Sequence, residues 1–326
     1  MNNSEYSSYK IVHHIDRLNA IKRDGYCVPI TIHLAPTTYC NCSCYYCYVK
    51  EYNKQKYQLN KNTLFTFLKD AAERGVKAVE ITGGGEPTVY QHFDETVIKC
   101  HELGLDVGLV TNGYHLNPEV LKYVTWIRIS IDTFDKDHYY QIRNTKLPDL
   151  SCVKRLSQGY GIVIGASCVI TEQNYKDISD FVATAREMGF NNVWLKGVED
   201  SQELFPLKKE VLDSVKRAEM LSDNDFRVFV GNLFRDSSMQ MKDFNRCMFQ
   251  HVAMMVYANG DVYPCCSLQG QSEYAYANIY RDSFDKILGM KHELPVDRCP
   301  LNCFWSDKNK FMEYIMLDEP KHVNFM

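Results

Sequence analysis

The feature that most limits the fold of this chain is a repeated alternation of short β-rich runs and longer segments with helical spacing between residues 29 and 221. The predicted strands cover 30–34, 78–81, 106–111, 126–131, 162–170 and 192–196. The predicted helices cover 61–74, 94–103, 118–124, 152–157, 178–189 and 206–221. Successive strand–helix units predict a parallel sheet with right-handed crossovers, which either lies open or curls toward a barrel.

Length and composition fit a globular protein with one large α/β domain and a smaller one. The chain has 326 residues, of which 45% are hydrophobic and 24% charged. Its net charge of -4, without a long basic run, makes nucleic acid an unlikely partner. The first thirty residues carry charges throughout, and no later stretch is long and apolar enough to cross a bilayer. We therefore expect a cytoplasmic protein that does not associate with membranes.

Four thiols lie within the short segment 40–47, directly after the first predicted strand. Three of them, Cys40, Cys44 and Cys47, can hold three corners of a four-iron, four-sulfur cluster and leave the fourth iron without a protein ligand. Cys42 occupies an intervening position. A zinc knuckle normally needs four ligands in paired spacing, and no suitably spaced histidine follows. Thirteen cysteines without an export signal also argue against a disulfide framework.

The second predicted strand ends in a glycine run that leads into Glu86 and Pro87. Functional groups of parallel α/β folds lie on loops at the carboxyl ends of strands. Three successive glycines let the backbone approach a ligand closely, although most glycine clusters are simply tight turns. Asn112 directly follows the third predicted strand, and we expect it at the same edge of the sheet.

Polar residues also mark the fourth and fifth predicted strands. Alternation puts Arg128, Ser130 and Asp132 on one side of the fourth strand, either in an internal hydrogen-bond network or around a ligand. The fifth strand carries Ser167 and Cys168 near its end. A single cysteine on a strand is usually a packing residue, so Cys168 is only a candidate for chemistry.

A second set of cysteines follows the predicted boundary near residue 222. It comprises Cys247, Cys265, Cys266, Cys299 and Cys303. Between the first two lies a hairpin pattern over 255–263 with an Asn-Gly turn. These thiols predict a second metal site, for which four-cysteine zinc is the main alternative to iron.

The spacing over 40–47, with the aromatic Tyr46 before the last cysteine, resembles the signature of the radical S-adenosylmethionine (SAM) enzymes. The resemblance implies that SAM chelates the open iron of a 4Fe-4S cluster and is cleaved to a 5′-deoxyadenosyl radical. It selects a partial (β/α)6 barrel over an open sheet. The residues that it implies for SAM binding are Tyr46, Gly84, Gly85, Glu86, Asn112, Ser130, Asp132 and Ser167. Of these, the Gly-Gly-Glu element would bind the methionine amino group, and Ser130 and Asp132 would lie near the ribose or the carboxylate.

The tail resembles the Twitch and SPASM auxiliary-cluster domains. A full SPASM pattern has more cysteines than this tail, so the resemblance implies a small Twitch-like domain with one auxiliary 4Fe-4S cluster. Its ligands would be Cys247, Cys265, Cys299 and Cys303, with Cys266 as an alternative to Cys265. The predicted divisions are an N-terminal arm and helix at 1–26, the barrel at 27–222, and the auxiliary domain with its tail at 223–326.

The resulting hypothesis is a radical SAM enzyme that abstracts hydrogen from a small polar substrate, which is sugar-, aminocyclitol- or nucleoside-like. Oxidation assisted by the auxiliary cluster is preferred, with an external electron donor such as flavodoxin or ferredoxin. Arg128, Lys196 and Glu199 are candidate substrate contacts. One alternative is an epimerase with Cys168 or Cys266 as hydrogen donor. A second is a peptide maturase, for which the N-terminal arm looks too short to bind a leader. A third is a non-catalytic iron–sulfur electron carrier.

Overall fold

The computed structural model describes residues 8–198, 202–231, 233, 242, 244–291, 293–299, 303 and 305–317. Glu199, one of the predicted substrate contacts, lies outside these residues. Among the described helices, none combines the length and the apolar character that a bilayer-spanning helix requires.

The described strands form one sheet. They are β1 (Thr31–Leu34), β2 (Ala78–Ile81), β3 (Asp106–Thr111), β4 (Trp126–Ser130), β5 (Val163–Ile170), β6 (Asn192–Gly197), β7 (Arg227–Val230), β8 (Ala253–Val256), β9 (Asp261–Tyr263) and β10 (Ala277–Asn278). Their order is β10-β9-β8-β1-β2-β3-β4-β5-β6-β7. Strands β1 to β7 pair in parallel with their sequence neighbours, as the strand–helix alternation predicts. The predicted α/β partial barrel is confirmed.

Helices separate most of these strands. They are α1 (Ile15–Asp24), α2 (Lys61–Glu73), α3 (Phe93–Glu102), α4 (Pro118–Leu121), α5 (Lys136–Arg143), α6 (Val153–Gly159), α7 (Ile178–Glu187), α8 (Lys208–Glu219), α9 (Phe249–Val252), α10 (Phe284–Met290) and α11 (Ser306–Ile315). Asn60 and Asn117 cap α2 and α4 by accepting backbone N–H groups. The sequence did not predict α5, whose residues are mostly polar. Asp135 caps it by accepting from the amides of Asp137 and His138.

The two faces of the sheet differ in burial. Residues such as Ile32, Val79, Leu109 and Ile164 are fully buried against the helices in one large apolar core. Along β4, half-buried side chains alternate with buried ones, and the half-buried side chains occupy the opposite face. That opposite face borders the interior of the partial barrel, which we call the lumen.

The sheet continues beyond the predicted domain boundary at residue 222. Strand β7 follows the boundary yet pairs in parallel with β6. Strand β8 pairs in parallel with β1, so that Thr31 lies opposite Ala253. The predicted hairpin is present as β8 and β9, and Gly260 in its turn has a φ of 88°. The C-terminal part is therefore joined to the barrel by backbone hydrogen bonds beside the cysteine loop. The division at 222 stays a prediction.

Candidate active site

The cysteine loop 40–47 begins after β1 and is held by the backbone of α5. The amide of Ser43 donates to the carbonyl oxygen of Arg143 at 3.0 Å, and the amide of Tyr45 donates to that of Ile142 at 3.2 Å. Cys40 is exposed, and Cys44 and Cys47 are partly exposed. None of these thiols is in a disulfide bond, so the donor set fits three corners of an iron–sulfur cluster.

Tyr46 takes part in a buried network with Asp132 and Arg143. The Tyr46 hydroxyl donates to Asp132 Oδ2 at 2.5 Å, and Arg143 Nε donates to the same oxygen at 2.8 Å. Arg143 Nη2 also donates to the Tyr46 hydroxyl oxygen at 3.0 Å. This network fixes the residue that precedes Cys47. The sequence did not single out Arg143, because its role depends on contacts with residues that are 11 and 97 positions away in the chain.

Asp132 departs from the strand alternation that placed it beside Arg128 and Ser130. Strand β4 ends at Ser130, and Asp132 has a left-handed φ of 69°. Its Oδ1 accepts the amide of Val169 at 2.9 Å. The carboxylate is therefore engaged by β5, Arg143 and Tyr46. Its predicted contact with SAM stays a prediction.

The glycine run lies against the cysteine loop. The amide of Gly85 donates to the carbonyl oxygen of Thr37 at 2.9 Å, and that of Glu86 donates to the carbonyl oxygen of Tyr39 at 2.7 Å. A β-carbon on Gly85 would stand 2.0 Å from the Tyr39 carbonyl oxygen. Only glycine permits this approach, so the loop that would carry the cluster and the loop that would bind SAM are packed backbone against backbone.

The carboxylate of Glu86 is buried and turned toward β3. Its Oε1 accepts the Thr111 hydroxyl at 2.6 Å and the amide and hydroxyl of Thr88 at 3.1 and 2.7 Å. Its Oε2 accepts the Asn112 amide at 2.8 Å. Burial raises the pKa of Glu86, and these donors partly oppose the increase. Four internal hydrogen bonds give Glu86 a clear role in fixing the glycine loop, and the predicted bond to the SAM ammonium stays a prediction.

Residues of the C-terminal part also contact the glycine run. Gln269 Nε2 donates to the Gly83 carbonyl oxygen at 3.1 Å and to the Tyr48 hydroxyl at 2.8 Å. The Tyr257 hydroxyl donates to Asn53 Oδ1 at 2.7 Å, and the Asn53 side-chain amide donates to the carbonyl oxygen of Gly84. A β-carbon on Gly84 would lie 2.6 Å from the Tyr257 ring. Sequence spacing carries no signal for these contacts, which join segments far apart in the chain.

The remaining predicted SAM contacts lie near the same edge of the sheet. Asn112 Nδ2 donates to Asn41 Oδ1 at 2.6 Å and to Cys42 Sγ at 3.3 Å, so Asn112 touches the cysteine loop directly. Ser130 lies opposite Ser167 in the β4–β5 register. Ser130 is half-buried and Ser167 is buried.

Cys168 has the opposite orientation from Ser167. Adjacent residues of a strand point to opposite faces, and Cys168 belongs to the apolar core beneath the helices. Its thiol donates to the Asp132 carbonyl oxygen at 3.2 Å, and burial raises its pKa. This position fits a packing role better than delivery of hydrogen into the lumen.

The auxiliary cysteines are grouped in the C-terminal part. Burial, together with the nearby Cys265, Cys303 and Cys299, raises the pKa of Cys247 to about 12. Burial likewise raises the pKa of Cys303 to about 11, with Cys265 and Cys299 again contributing. The four predicted ligands are thus close enough to interact, and none is in a disulfide bond. Cys266 neighbours Cys265, so either could ligate.

The described cysteine, histidine and acidic side chains do not form a group of three arranged around a single metal ion. A four-iron cluster is a larger body than one zinc ion and spaces its thiolates across a cube. The ligand set of the cluster in the C-terminal part stays a prediction.

Family models match both the segment that carries the cysteine and glycine loops and the C-terminal part. The model described as "Radical SAM superfamily" matches residues 34–197, which contain the cysteine loop, the glycine loop and strands β2 to β6. The model described as "Iron-sulfur cluster-binding domain" matches residues 247–294. The second match includes Cys247, Cys265 and Cys266 but ends before Cys299. The ligand roles of all five cysteines of the C-terminal part stay predictions.

Similar curated proteins have different activities. An S-adenosylmethionine-dependent nucleotide dehydratase of Flammeovirga pacifica is 28% identical over 63% of this chain and 76% of its own. The sporulation killing factor maturation protein SkfB of Bacillus subtilis is 28% identical over 51% of this chain, but the match spans only 42% of SkfB.

Solved structures share the fold. Streptococcus suis SuiB bound to its precursor peptide SuiA has a TM-score of 0.63 at 20% identity, covering 87% of this chain and 71% of SuiB. The anSMEcpe protein with bound AdoMet has a TM-score of 0.58 at 17% identity, covering 88% of this chain and 80% of its own. At these identities the likeness concerns the fold alone.

Proposed function

Because this chain belongs to the radical SAM superfamily, we propose that it abstracts a hydrogen atom from a small polar substrate in the lumen and oxidises that substrate. The cofactors are a 4Fe-4S cluster and SAM, with an auxiliary iron–sulfur cluster in the C-terminal part. When bound, they supply a 5′-deoxyadenosyl radical and an acceptor for the electron that the substrate loses.

Named residues of this chain would hold these groups. Cys40, Cys44 and Cys47 would ligate the first cluster, and Cys247, Cys265, Cys299 and Cys303 the auxiliary one. SAM would lie along the carboxyl edge of the sheet, beside Gly84, Gly85, Asn112, Ser130 and Ser167. Glu86, Asp132 and Tyr46 would act mainly by fixing the loops that surround it.

The observation that carries the proposal is the pairing of the cysteine loop with the glycine loop through the amides of Gly85 and Glu86. This contact keeps a donor set for an open-iron cluster directly beside a glycine backbone that a ligand can approach. Both loops lie where the strands end and the lumen begins. A protein that only carries electrons needs no such loop beside its cluster.

The substrate class is inferred from the relatives and from the lumen. The nucleotide dehydratase is named for a small polar substrate, which supports the sugar- or nucleoside-like class. SkfB is named for the maturation of a sporulation killing factor, and SuiB is solved with a bound precursor peptide. These names make peptide modification the second candidate. In either case an external one-electron donor, such as flavodoxin or ferredoxin, must reduce the first cluster.

The test begins with anaerobic reconstitution. We expect about eight irons per chain, as two four-iron clusters require. Replacing Cys40, Cys44 and Cys47 together by Ala should remove about half of the iron and abolish formation of 5′-deoxyadenosine from SAM and a reductant. The result that contradicts the proposal is no 5′-deoxyadenosine from the wild-type protein with any substrate tested. About four irons and one zinc would contradict the auxiliary cluster alone.

Oxidation and epimerisation differ in what happens to the substrate radical. An oxidation passes its electron to an acceptor and loses a proton, whereas an epimerisation needs a second hydrogen atom, for which a thiol is suited. We expect Cys168→Ala and Cys266→Ala to retain most turnover. Replacing Cys299 and Cys303 together should leave SAM cleavage but stop formation of the oxidised product. Inversion of a stereocentre by wild type, lost in one of the single variants, would establish the epimerase instead.

A further inference from the structure

Asn309 on α11 contacts Cys303, one of the predicted ligands of the auxiliary cluster. Its Nδ2 donates to Cys303 Sγ at 3.5 Å. The Asn309 side chain is fully buried, so solvent does not compete for this donor. Burial raises the pKa of Cys303 overall, and the hydrogen bond from Asn309 acts against that rise. The sulfur of Cys303 is thus met by a buried N–H donor from a neighbouring helix.

The orientation of the Asn309 carboxamide is fixed by its other end. Its Oδ1 accepts the backbone amide of Phe249 at 2.7 Å, so Nδ2 has to lie at the end that faces Cys303. The contact with Phe249 on α9 needs only an acceptor, which a carboxylate would also provide. The contact with sulfur needs a donor, and only the amide of this shape has one.

Aromatic rings pack at the two residues whose backbone groups bond to Asn309. Its amide donates to the Trp305 carbonyl oxygen at 2.9 Å, and its side chain accepts from Phe249. The rings of Phe249 and Trp305 stack with centroids 4.1 Å apart and planes at 11°. A hydrogen bond in such apolar surroundings is electrostatically stronger than one in water. The bond to Cys303 should therefore have a measurable effect on that sulfur.

A second buried carboxamide follows Cys247, another predicted ligand. Gln250 Oε1 accepts the Leu294 amide at 2.9 Å, whereas Gln250 Nε2 is buried and has no hydrogen-bond partner among the described residues. The backbone amide of Gln250 acts against the rise that burial causes in the pKa of Cys247. A buried donor without an acceptor costs free energy, and the sulfurs of a cluster held by Cys247 are acceptors. The buried donors of this region therefore fit an iron–sulfur cluster.

We propose that Asn309 raises the reduction potential of the auxiliary cluster by donating to the sulfur of Cys303. This inference rests on the proposed function, because it takes Cys303 as a ligand of that cluster. A reduced cluster carries one more negative charge than an oxidised one, so an N–H donor stabilises the reduced form more. A higher potential suits an acceptor: the substrate radical passes one electron to the cluster and one proton to water. Asn309 is a positioning residue, since it acts through Cys303.

The potentials of both clusters can be measured without SAM or substrate, by a redox titration of the anaerobically reconstituted protein followed by electron paramagnetic resonance. Protein with Cys40, Cys44 and Cys47 replaced by Ala identifies the signal of the auxiliary cluster. Asn309→Leu removes the donor, and Asn309→Asp keeps an acceptor for Phe249 but puts a carboxylate oxygen in place of the donor. We expect Asn309→Leu to disfavour the reduced auxiliary cluster about fivefold. At about 59 mV per tenfold for one electron, its potential should fall by about 40 mV.

Asn309→Asp should lower this potential further, because it adds a negative charge, and the potential of the first cluster should not change in either variant. Asn245→Asp is the matched control. It adds the same charge two residues before Cys247, but Asn245 is exposed, so solvent screens it. The control should change the balance between reduced and oxidised auxiliary cluster by less than about twofold.

The inference is overturned by an unchanged auxiliary potential in Asn309→Leu, or by equal shifts of both clusters. Loss of the auxiliary iron from both Asn309 variants would also overturn it, because Asn309 would then serve assembly. Asn309→Asp serves if Asn309→Leu does not fold. Wild-type protein with one cluster would contradict the auxiliary cluster of the proposed function, and this inference with it. The expected shifts in a protein that forms no 5′-deoxyadenosine would contradict the proposed function but support the role of Asn309.

Discussion

Arg143 Nε donates a 2.8 Å hydrogen bond to Asp132 Oδ2, and at most 4% of either side chain is exposed. This ion pair joins the end of α5 to the segment after β4, and the Tyr46 hydroxyl bonds to both members. The position of the cysteine loop thus depends on a buried charge pair whose members are 11 residues apart, with Tyr46 in a distant segment.

Removing one member of this pair should destabilise the protein strongly. Arg143→Met leaves the Asp132 carboxylate buried without its cation, which typically costs about 3–5 kcal/mol. We expect a lower free energy of unfolding in urea and a lower iron content, because the cysteine loop loses its support. Arg155→Met is the control, since Arg155 is exposed and lies 4.0 Å from Glu119. Equal stability of the two variants would contradict a supporting role for Arg143.

Glu86→Ala should weaken SAM binding while leaving the iron content unchanged. The substitution leaves the amides of Thr88 and Asn112 and two hydroxyls without their buried acceptor, so the glycine loop should become mobile. We expect an affinity for SAM at least about tenfold weaker, measured by equilibrium binding. Thr111→Val removes only one of these bonds and should have a smaller effect. Unchanged affinity in Glu86→Ala would place SAM away from this loop.

Gln269→Glu tests whether the C-terminal part supports the glycine loop. Glutamate has the same shape but cannot donate to the Gly83 carbonyl oxygen or to Tyr48. A lost hydrogen bond is worth about 1 kcal/mol, so SAM should bind about fivefold more weakly. Gln271→Glu is the comparison, because the Gln271 side chain donates a long bond of 3.4 Å to the Ser267 carbonyl oxygen and does not contact the glycine run within the described residues. If both variants bind SAM equally well, the contact with Gly83 is not functional.

His251 should make stability depend on pH. Burial is the main reason why its pKa falls from 6.5 to about 4, with help from the positive charges of Lys291 and Arg246. Below pH 6.5 the unfolded chain binds a proton that the folded protein does not, so stability should fall as pH decreases from 6.5 toward 4. We expect a loss of about 2 kcal/mol between about pH 7.5 and about pH 5 in urea unfolding. His251→Gln should show a flatter dependence, and parallel curves would contradict this assignment.

Local sequence patterns predicted much of the fold. Strands β2 and β3 lie at the residues that the alternation predicts. The signal for a strand is a pattern of neighbouring residues, which the sequence shows directly. The resemblance to the radical SAM enzymes implied the partial barrel and the cofactors, and the family matches confirm them. Helix α5 was missed because its residues are polar. The signal that could have found it is Asp135, which caps its first turn.

Tertiary structure decided what these motifs contact. Sequence could not tell which face of β5 meets the helices, and a shift of one residue exchanges the positions of Ser167 and Cys168. It could not place β8 beside β1, nor bring Gln269 to Gly83, 186 residues away in the chain. The sequence by itself determined which elements form and which thiols are available. Only packing, which pairs residues across any distance along the chain, decided that the cysteine loop and the glycine loop meet at one edge of the sheet.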